Sequence, residues 1–153
     1  STIARSESLF ISRGDSSGTH MMEQKLWDTA ELSPGGGWYQ ESGQGMGATL
    51  QIASQKGAYT LSDRGTFLSL LHTLDLAAMV GAMPELLNEY SVLQLNPDRF
   101  PKANTTGGQA FAEYLLSQEA QTIVMEFGLE RYNEPLFIPG APDSVSVDGE
   151  TTK

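Results

Sequence analysis

The chain has 153 residues, 39% hydrophobic and 18% charged, enough apolar material for one domain with a core and too much for a disordered segment. Nine Lys and Arg against nineteen Asp and Glu leave a net charge of −10, which argues against nucleic acid as a partner, because phosphate contacts need a basic surface. There is no cysteine, so disulfides and thiolate metal sites are excluded, and no apolar run reaches the roughly 18 residues of a membrane helix.

Residues 1–8 are polar and without period, and read as a lead-in or linker. No secretory leader is visible, so Ser1 is expected to begin a mature or excised piece. Leu9-Phe10-Ile11 is a short apolar run that predicts a buried strand over 9–12. Met22, Leu26 and Ala30 then recur at i, i+4 and i+8 with Trp27 beside them, which predicts a helix over 21–32. Ser33-Pro34-Gly35-Gly36-Gly37 stops it, and a loop opens at Trp38-Tyr39 and runs through 45. Met46, Leu50 and Ala53 share a face of a second helix over 46–56, ended by Gly57. Residues 58–61 read as a short strand and 67–73 as a helix. The apolar stretch 76–83 suits a buried strand or crossover, and 91–95 alternates like a strand. One long helix is expected from 104 or 105 to 127, with Ala112, Leu116, Ile123 and Phe127 on its apolar face. Residues 129–142 are irregular, with three prolines, and 140–153 reads as a flexible tail. Strands alternating with helices predict an α/β lobe over 9–139, a mainly parallel sheet flanked by helices.

The chemistry concentrates in Ser12-Arg13-Gly14-Asp15-Ser16-Ser17-Gly18-Thr19-His20, between the first strand and the first helix. A glycine-bearing turn into a helix start presents backbone N–H groups and the positive end of the helix dipole. Hydroxyls add donors, and Arg13 adds a planar permanent cation suited to oxyanions. The same Ser and Thr residues are also the preferred caps of any helix, and both readings stay open. Ser62-Asp63-Arg64-Gly65-Thr66 repeats the pattern after the 58–61 strand; its plain alternative is an Asp63–Arg64 pair with Thr66 as cap. In a parallel sheet both turns would lie at the carboxyl edge, where Arg13 and Arg64 could converge.

Other patterns are weaker. Gly43-Gln44-Gly45-Met46-Gly47 lacks the ending of a phosphate loop and misplaces the third glycine of a dinucleotide fingerprint. Gly14-Asp15-Ser16-Ser17-Gly18 is not a nucleophile elbow. His20 and His72 have no partner at metal-ligand spacing, so neither a metal site nor a cofactor is expected; His72, among leucines, reads as a partly buried core residue. Arg13-Gly14-Asp15 is the adhesion tripeptide, and Asn104-Thr105-Thr106 is a glycosylation sequon.

The segment Phe10-Ile11-Ser12-Arg13-Gly14-Asp15-Ser16-Ser17-Gly18-Thr19-His20, with Glu23 and Trp27, resembles the signature of the tungstate-binding proteins of ABC transporters. Gly43 to Leu50 and Ala58 to Thr66 match two further blocks in order, and Asn88-Glu89-Tyr90, Asn96-Pro97, Phe127-Gly128 and Pro135-Leu136-Phe137 continue the likeness. The resemblance implies a periplasmic-binding-protein-like fold of two lobes with tungstate or molybdate in the cleft, of which this chain resembles the second lobe only. By position, Arg13 and Thr19 would be oxyanion ligands, with Ser12, Ser17 and Arg64 as further candidates. A proton-free oxyanion needs donors alone, and these groups supply donors; selection against sulfate would then rest on pocket size. The implied role is a non-enzymatic solute-binding protein, periplasmic or extracellular, delivering its anion to a membrane permease. With one lobe absent, weak binding or none is expected, together with self-association of the fragment as a homodimer. The alternatives are a phosphate-ester hydrolase, with Asp15 or His20 as base, and an anion-sensing regulatory domain.

Overall fold

The structure is a computed structural model that describes residues 2–81 and 83–140. It forms two compact units, one spanning Ser1–Asn88 and one spanning Glu89–Lys153, so the lobe expected over 9–139 extends into both. The segment expected as a linker contains a short helix, α1 (Thr2–Arg5).

The first unit is built on β1 (Phe10–Ser12), buried at all three residues. It is covered along both edges. On one side β2 (Tyr39–Glu41) pairs with it in parallel, Phe10 opposite Tyr39 and Ser12 opposite Glu41. On the other, Tyr59 forms a parallel bridge to Phe10; Ile11 N–H donates to the Tyr59 carbonyl at 2.8 Å and Tyr59 N–H to the Leu9 carbonyl at 2.9 Å. Successive strand side chains point to opposite faces. Phe10 meets Trp27 of α2 (Gly18–Thr29) edge-on at 5.3 Å, while Ile11 clusters with Ala53 of α3 (Met46–Lys56) and Ala58. A helix therefore packs on each face of a parallel strand, the α/β arrangement expected.

Several boundaries differ from expectation. α2 begins at Gly18 rather than residue 21, because the Ser17 hydroxyl accepts the His20 N–H and caps it. It stops at Thr29, and Glu31 follows in the left-handed region at φ 53°. The expected loop from Trp38 contains a turn of 3₁₀ helix (Gly36–Trp38) and β2; so short a strand in a Gly-rich setting has no local signature. The strand over 58–61 reduces to the bridge at Tyr59. α4 (Arg64–Leu70) starts before Phe67, capped by Asp63 rather than Thr66, and passes into a 3₁₀ turn (Leu71–Thr73). His72 in that turn is exposed, not a core residue, because the turn leaves the helix face that would have covered it. Residues 76–83 form no strand among those described: Leu76 packs on the core cluster, but Met79 is 75% exposed.

In the second unit residues 91–95 are exposed and carry no strand, since no neighbouring segment pairs with them. The single long helix is two, α5 (Thr105–Leu116), capped by Asn104, and α6 (Gln118–Glu126). Ser117 separates them with an extended backbone, and its hydroxyl accepts the Ala120 N–H at 3.3 Å. A serine inside a helical pattern can restart a helix as its cap, and here it does. A short α7 (Leu129–Tyr132) lies in the stretch expected to be irregular. The expected tail is described at residue 140 alone; 141–153 lie outside the described residues. No described helix is long and apolar enough to cross a membrane.

Candidate functional site

β1, β2 and the Tyr59 segment run parallel, so the turns that follow them leave from one edge. Each leads to a helix start: Ser17 caps α2, Gly45 precedes α3 and Asp63 caps α4. This places the two Arg-bearing turns at the same edge. Arg13 is in the first, and Arg64, exposed, is the first residue of α4.

Four of the five candidate residues share the first turn. Ser12 is fully buried, and its hydroxyl accepts the Gly14 N–H at 3.2 Å. Arg13 Nη2 pairs with Asp15 Oδ2. Its Nε is buried and, among the described residues, has no hydrogen-bond partner. An unpaired buried N–H costs about 1–3 kcal/mol, so this donor is poised for an acceptor. Ser17 is committed twice: its hydroxyl accepts the His20 N–H and its own amide donates to Asp15 Oδ1. Thr19 is the second residue of α2, and among the described residues the amides of Gly18 and Thr19 carry no hydrogen bond.

The turn is held by its own side chains. Asp15 Oδ1 accepts the Ser17 N–H at 3.1 Å, and His20 Nδ1 accepts the Ser16 N–H at 3.0 Å with Ser16 at φ 57°. The Ser17 hydroxyl is the main group holding the Asp15 carboxyl below its ordinary range; partial desolvation opposes it, and the Ser17 amide and Arg13 reinforce it. Gly14 sits at φ +63°, and a Cβ there would lie 2.7 Å from Glu41 Cβ, so β2 packs against this turn where only glycine fits.

Two supports were missed in the sequence. The loop before α3 closes on Arg13: its carbonyl accepts the Gly43 N–H at 2.9 Å and the Ser42 hydroxyl at 3.3 Å. Ser42 in turn lies 2.8 Å from the hydroxyl of fully buried Thr49. The glycines of 43–47 were visible, but not that they lie against Arg13. The second support is buried Glu23, whose Oε1 accepts from Trp27 Nε1 at 3.1 Å and the Tyr39 hydroxyl at 2.8 Å. Gln24 donates to the same hydroxyl at 3.0 Å and lies 3.2 Å from His20 Nε2. Burial raises the Tyr39 phenol above its ordinary value; a bond from Ser12 opposes this and Glu23 adds to it. The i, i+3, i+7 spacing of His20, Glu23 and Trp27 was the available signal.

Chemically the exposed part of this turn offers donors: two helix-start amides, a threonine hydroxyl and a guanidinium. Its one carboxylate is already bonded to Arg13 and Ser17. No group of three metal-ligating side chains occurs among the described residues.

Residues 1–119 match the family model described as a PBP superfamily domain. The chain is 45% identical over 132 residues to the tungstate-binding protein TupA of Peptoclostridium acidaminophilum, a match covering 86% of this chain and 46% of that protein. It is 35% identical over 149 residues to the tungstate-binding protein TupA of Campylobacter jejuni, covering 94% and 52%. The chain thus spans about half the length of the curated relatives it matches. Among solved structures, the tungstate-binding protein from Desulfovibrio alaskensis is similar at TM-score 0.77 and 34% identity, over 92% of this chain and 58% of that one. The tungstate ABC transporter structure from Geobacter sulfurreducens is similar at TM-score 0.71 and 36% identity, over 82% and 53%.

Proposed function

This chain belongs to the PBP superfamily domain family, and from that premise we propose that it is part of a solute-binding protein for a tetrahedral oxyanion, tungstate or molybdate. It binds the anion and catalyses nothing, acts outside the cytoplasmic membrane, and hands its ligand to an ABC transporter permease. The relatives named above are tungstate-binding proteins, which supports the ligand class. The observation that carries the reading is the donor set of the β1–α2 turn. Unbonded Gly18 and Thr19 amides stand in the turn that holds Arg13, whose buried Nε lacks an acceptor. A dianion at this helix start meets the dipole and the guanidinium together. The net charge of −10 does not oppose this, because local donors decide binding in a recess while global charge sets steering.

Within this reading Arg13 and Thr19 contact the anion. Ser12 and Ser17, each committed within the turn, shape it, and Arg64 contributes positive potential from the neighbouring turn. The alternatives weighed from sequence gain nothing from the structure: Asp15 is tied to Arg13 and Ser17, and the His20 Nδ1 lone pair already accepts the Ser16 amide, so neither is free to act as a base. The chain alone supplies one wall of a binding site, so affinity weaker than submicromolar is expected, and its apolar second unit favours a homodimer.

Titration of this chain with sodium tungstate, molybdate and sulfate tests the reading. Amide shifts at Gly18 and Thr19 are expected with tungstate and molybdate, with sulfate discriminated little by a single wall, and Arg13→Ala removes them. No shift with tungstate at millimolar concentration, or shifts that Arg13→Ala leaves unchanged, would sink the proposal.

A further inference from the structure

Two hydrogen-bond donors contend for one imidazole in the candidate turn. The Ser16 amide lies 3.0 Å from His20 Nδ1, and the Gln24 carboxamide nitrogen lies 3.2 Å from His20 Nε2. A neutral imidazole accepts at one ring nitrogen and carries its proton on the other. The backbone donor cannot be turned away. Gln24 can, because a half-turn of its carboxamide presents oxygen in place of nitrogen. That half-turn puts the Gln24 oxygen 3.0 Å from the Tyr39 oxygen, and the single phenol proton then goes either to Gln24 or to Glu23, which keeps its bond from Trp27. The ring therefore accepts at Nδ1 and holds its proton at Nε2.

The contact at Nδ1 has a consequence for the turn. Ser16 is a non-glycine residue in the left-handed region at φ 57°, a conformation that persists only where surrounding bonds enforce it. His20 lies one turn of chain further on, in the first turn of α2, and reaches back to take that amide. With the Ser16 amide taken by His20 and the Ser17 amide by Asp15, the amides that carry no hydrogen bond at the helix start, among the described residues, are those of Gly18 and Thr19. We propose that His20 is the positioning residue of this turn: its Nδ1 fixes Ser16 and thereby sets which backbone amides an oxyanion meets. The proposal rests on the anion reading above and assigns His20 no contact with the anion itself.

The test uses this chain labelled with nitrogen-15, the wild type and two variants. His20→Asn puts an amide oxygen near the place of Nδ1, and His20→Gln puts its amide near the place of Nε2. The wild-type ring is expected to show the Nε2–H tautomer in long-range proton–nitrogen spectra. The Ser16 amide is expected to exchange slowly in the wild type and in His20→Asn, and faster by on the order of five- to tenfold in His20→Gln, the loss of one hydrogen bond. Tungstate affinity should follow the same order: retained within about twofold in His20→Asn and reduced by on the order of fivefold in His20→Gln. An Nδ1–H tautomer overturns the proposal without any variant. Tungstate binding that His20→Gln keeps in full overturns the positioning role alone. No response of the wild type to tungstate, with the Nε2–H tautomer in place, overturns the anion reading and the binding role of His20 with it.

Discussion

The two units spend their apolar residues differently. In the unit spanning Ser1–Asn88, Phe10, Ile11, Trp27, Met46, Leu50, Ala53 and Ala58 are buried around one strand. In the unit spanning Glu89–Lys153, Ala112 and Ala120 are the buried hydrophobics among the described residues, while Phe111 is 60% exposed and Phe127 56%. Both have amphipathic helices. The difference is a strand paired on both edges, which gathers segments distant in sequence onto its two faces. Two helices consecutive in the chain cover only what lies between them. A turn whose backbone must be held to a fraction of an ångström belongs on the first kind of unit, and the candidate site is there.

Mutations can break or sharpen this contrast. The largest effect is expected for Leu50→Ala, 1% exposed on α3: a loss of about 2–5 kcal/mol in denaturant unfolding monitored by tryptophan fluorescence. A cost below about 1 kcal/mol would mean the first unit has no tighter interior than the second. Next comes Gly14→Ala. Positive φ and the close approach of Glu41 predict a loss of about 1–3 kcal/mol together with weaker tungstate binding; unchanged stability would show that β2 yields there. Ser117→Ala removes the cap that splits α5 from α6 and should cost about 0.5–2 kcal/mol, read as lost helical circular dichroism. A gain in helicity would instead show the two helices merging.

Acid should act on the candidate turn. The Asp15 carboxyl is held below its ordinary value of about 4, so the order it confers is complete above that value and is lost as pH falls through the lower folded-state value. Nitrogen shifts of Ser17 followed from pH 6 to 2 check this; a midpoint at or above about 4 contradicts the arrangement. The smallest effect is expected for Phe111→Ala in the second unit, within about 0.5 kcal/mol in the monomer. A much larger loss that grows with protein concentration would identify Phe111 as buried between two copies.

Local chemistry was readable wherever it depended on neighbours in the chain. The helix over Met46–Lys56 carries its own apolar spacing and its own glycine stop, and Asn104 announces α5. The β1–α2 turn declared itself through Ser, Gly and Arg in series. The α2 start lies three residues before the apolar spacing suggests because several Ser and Thr residues of the turn could cap it, and only the backbone decides which hydroxyl reaches the third amide. β2 was missed because three residues in parallel register have no signature of their own. The strand read at 91–95 was false for the converse reason: alternation signals a strand only where a partner supplies its hydrogen bonds.

The amino-acid sequence by itself determined the alternation of apolar segments with Gly- and Ser-rich turns, and the donor character of residues 12–20. Those properties are local, set by side-chain chemistry and by spacing within one or two helical turns. Tertiary structure alone decided that the Arg13 backbone is held by Ser42 and Gly43 and that its guanidinium has a carboxylate partner. It also decided that β1 is covered on both edges. The bonds from Ser42, Gly43 and Tyr59 join residues tens of positions apart, and no short-range pattern encodes which distant amide will lie 3 Å from a given carbonyl.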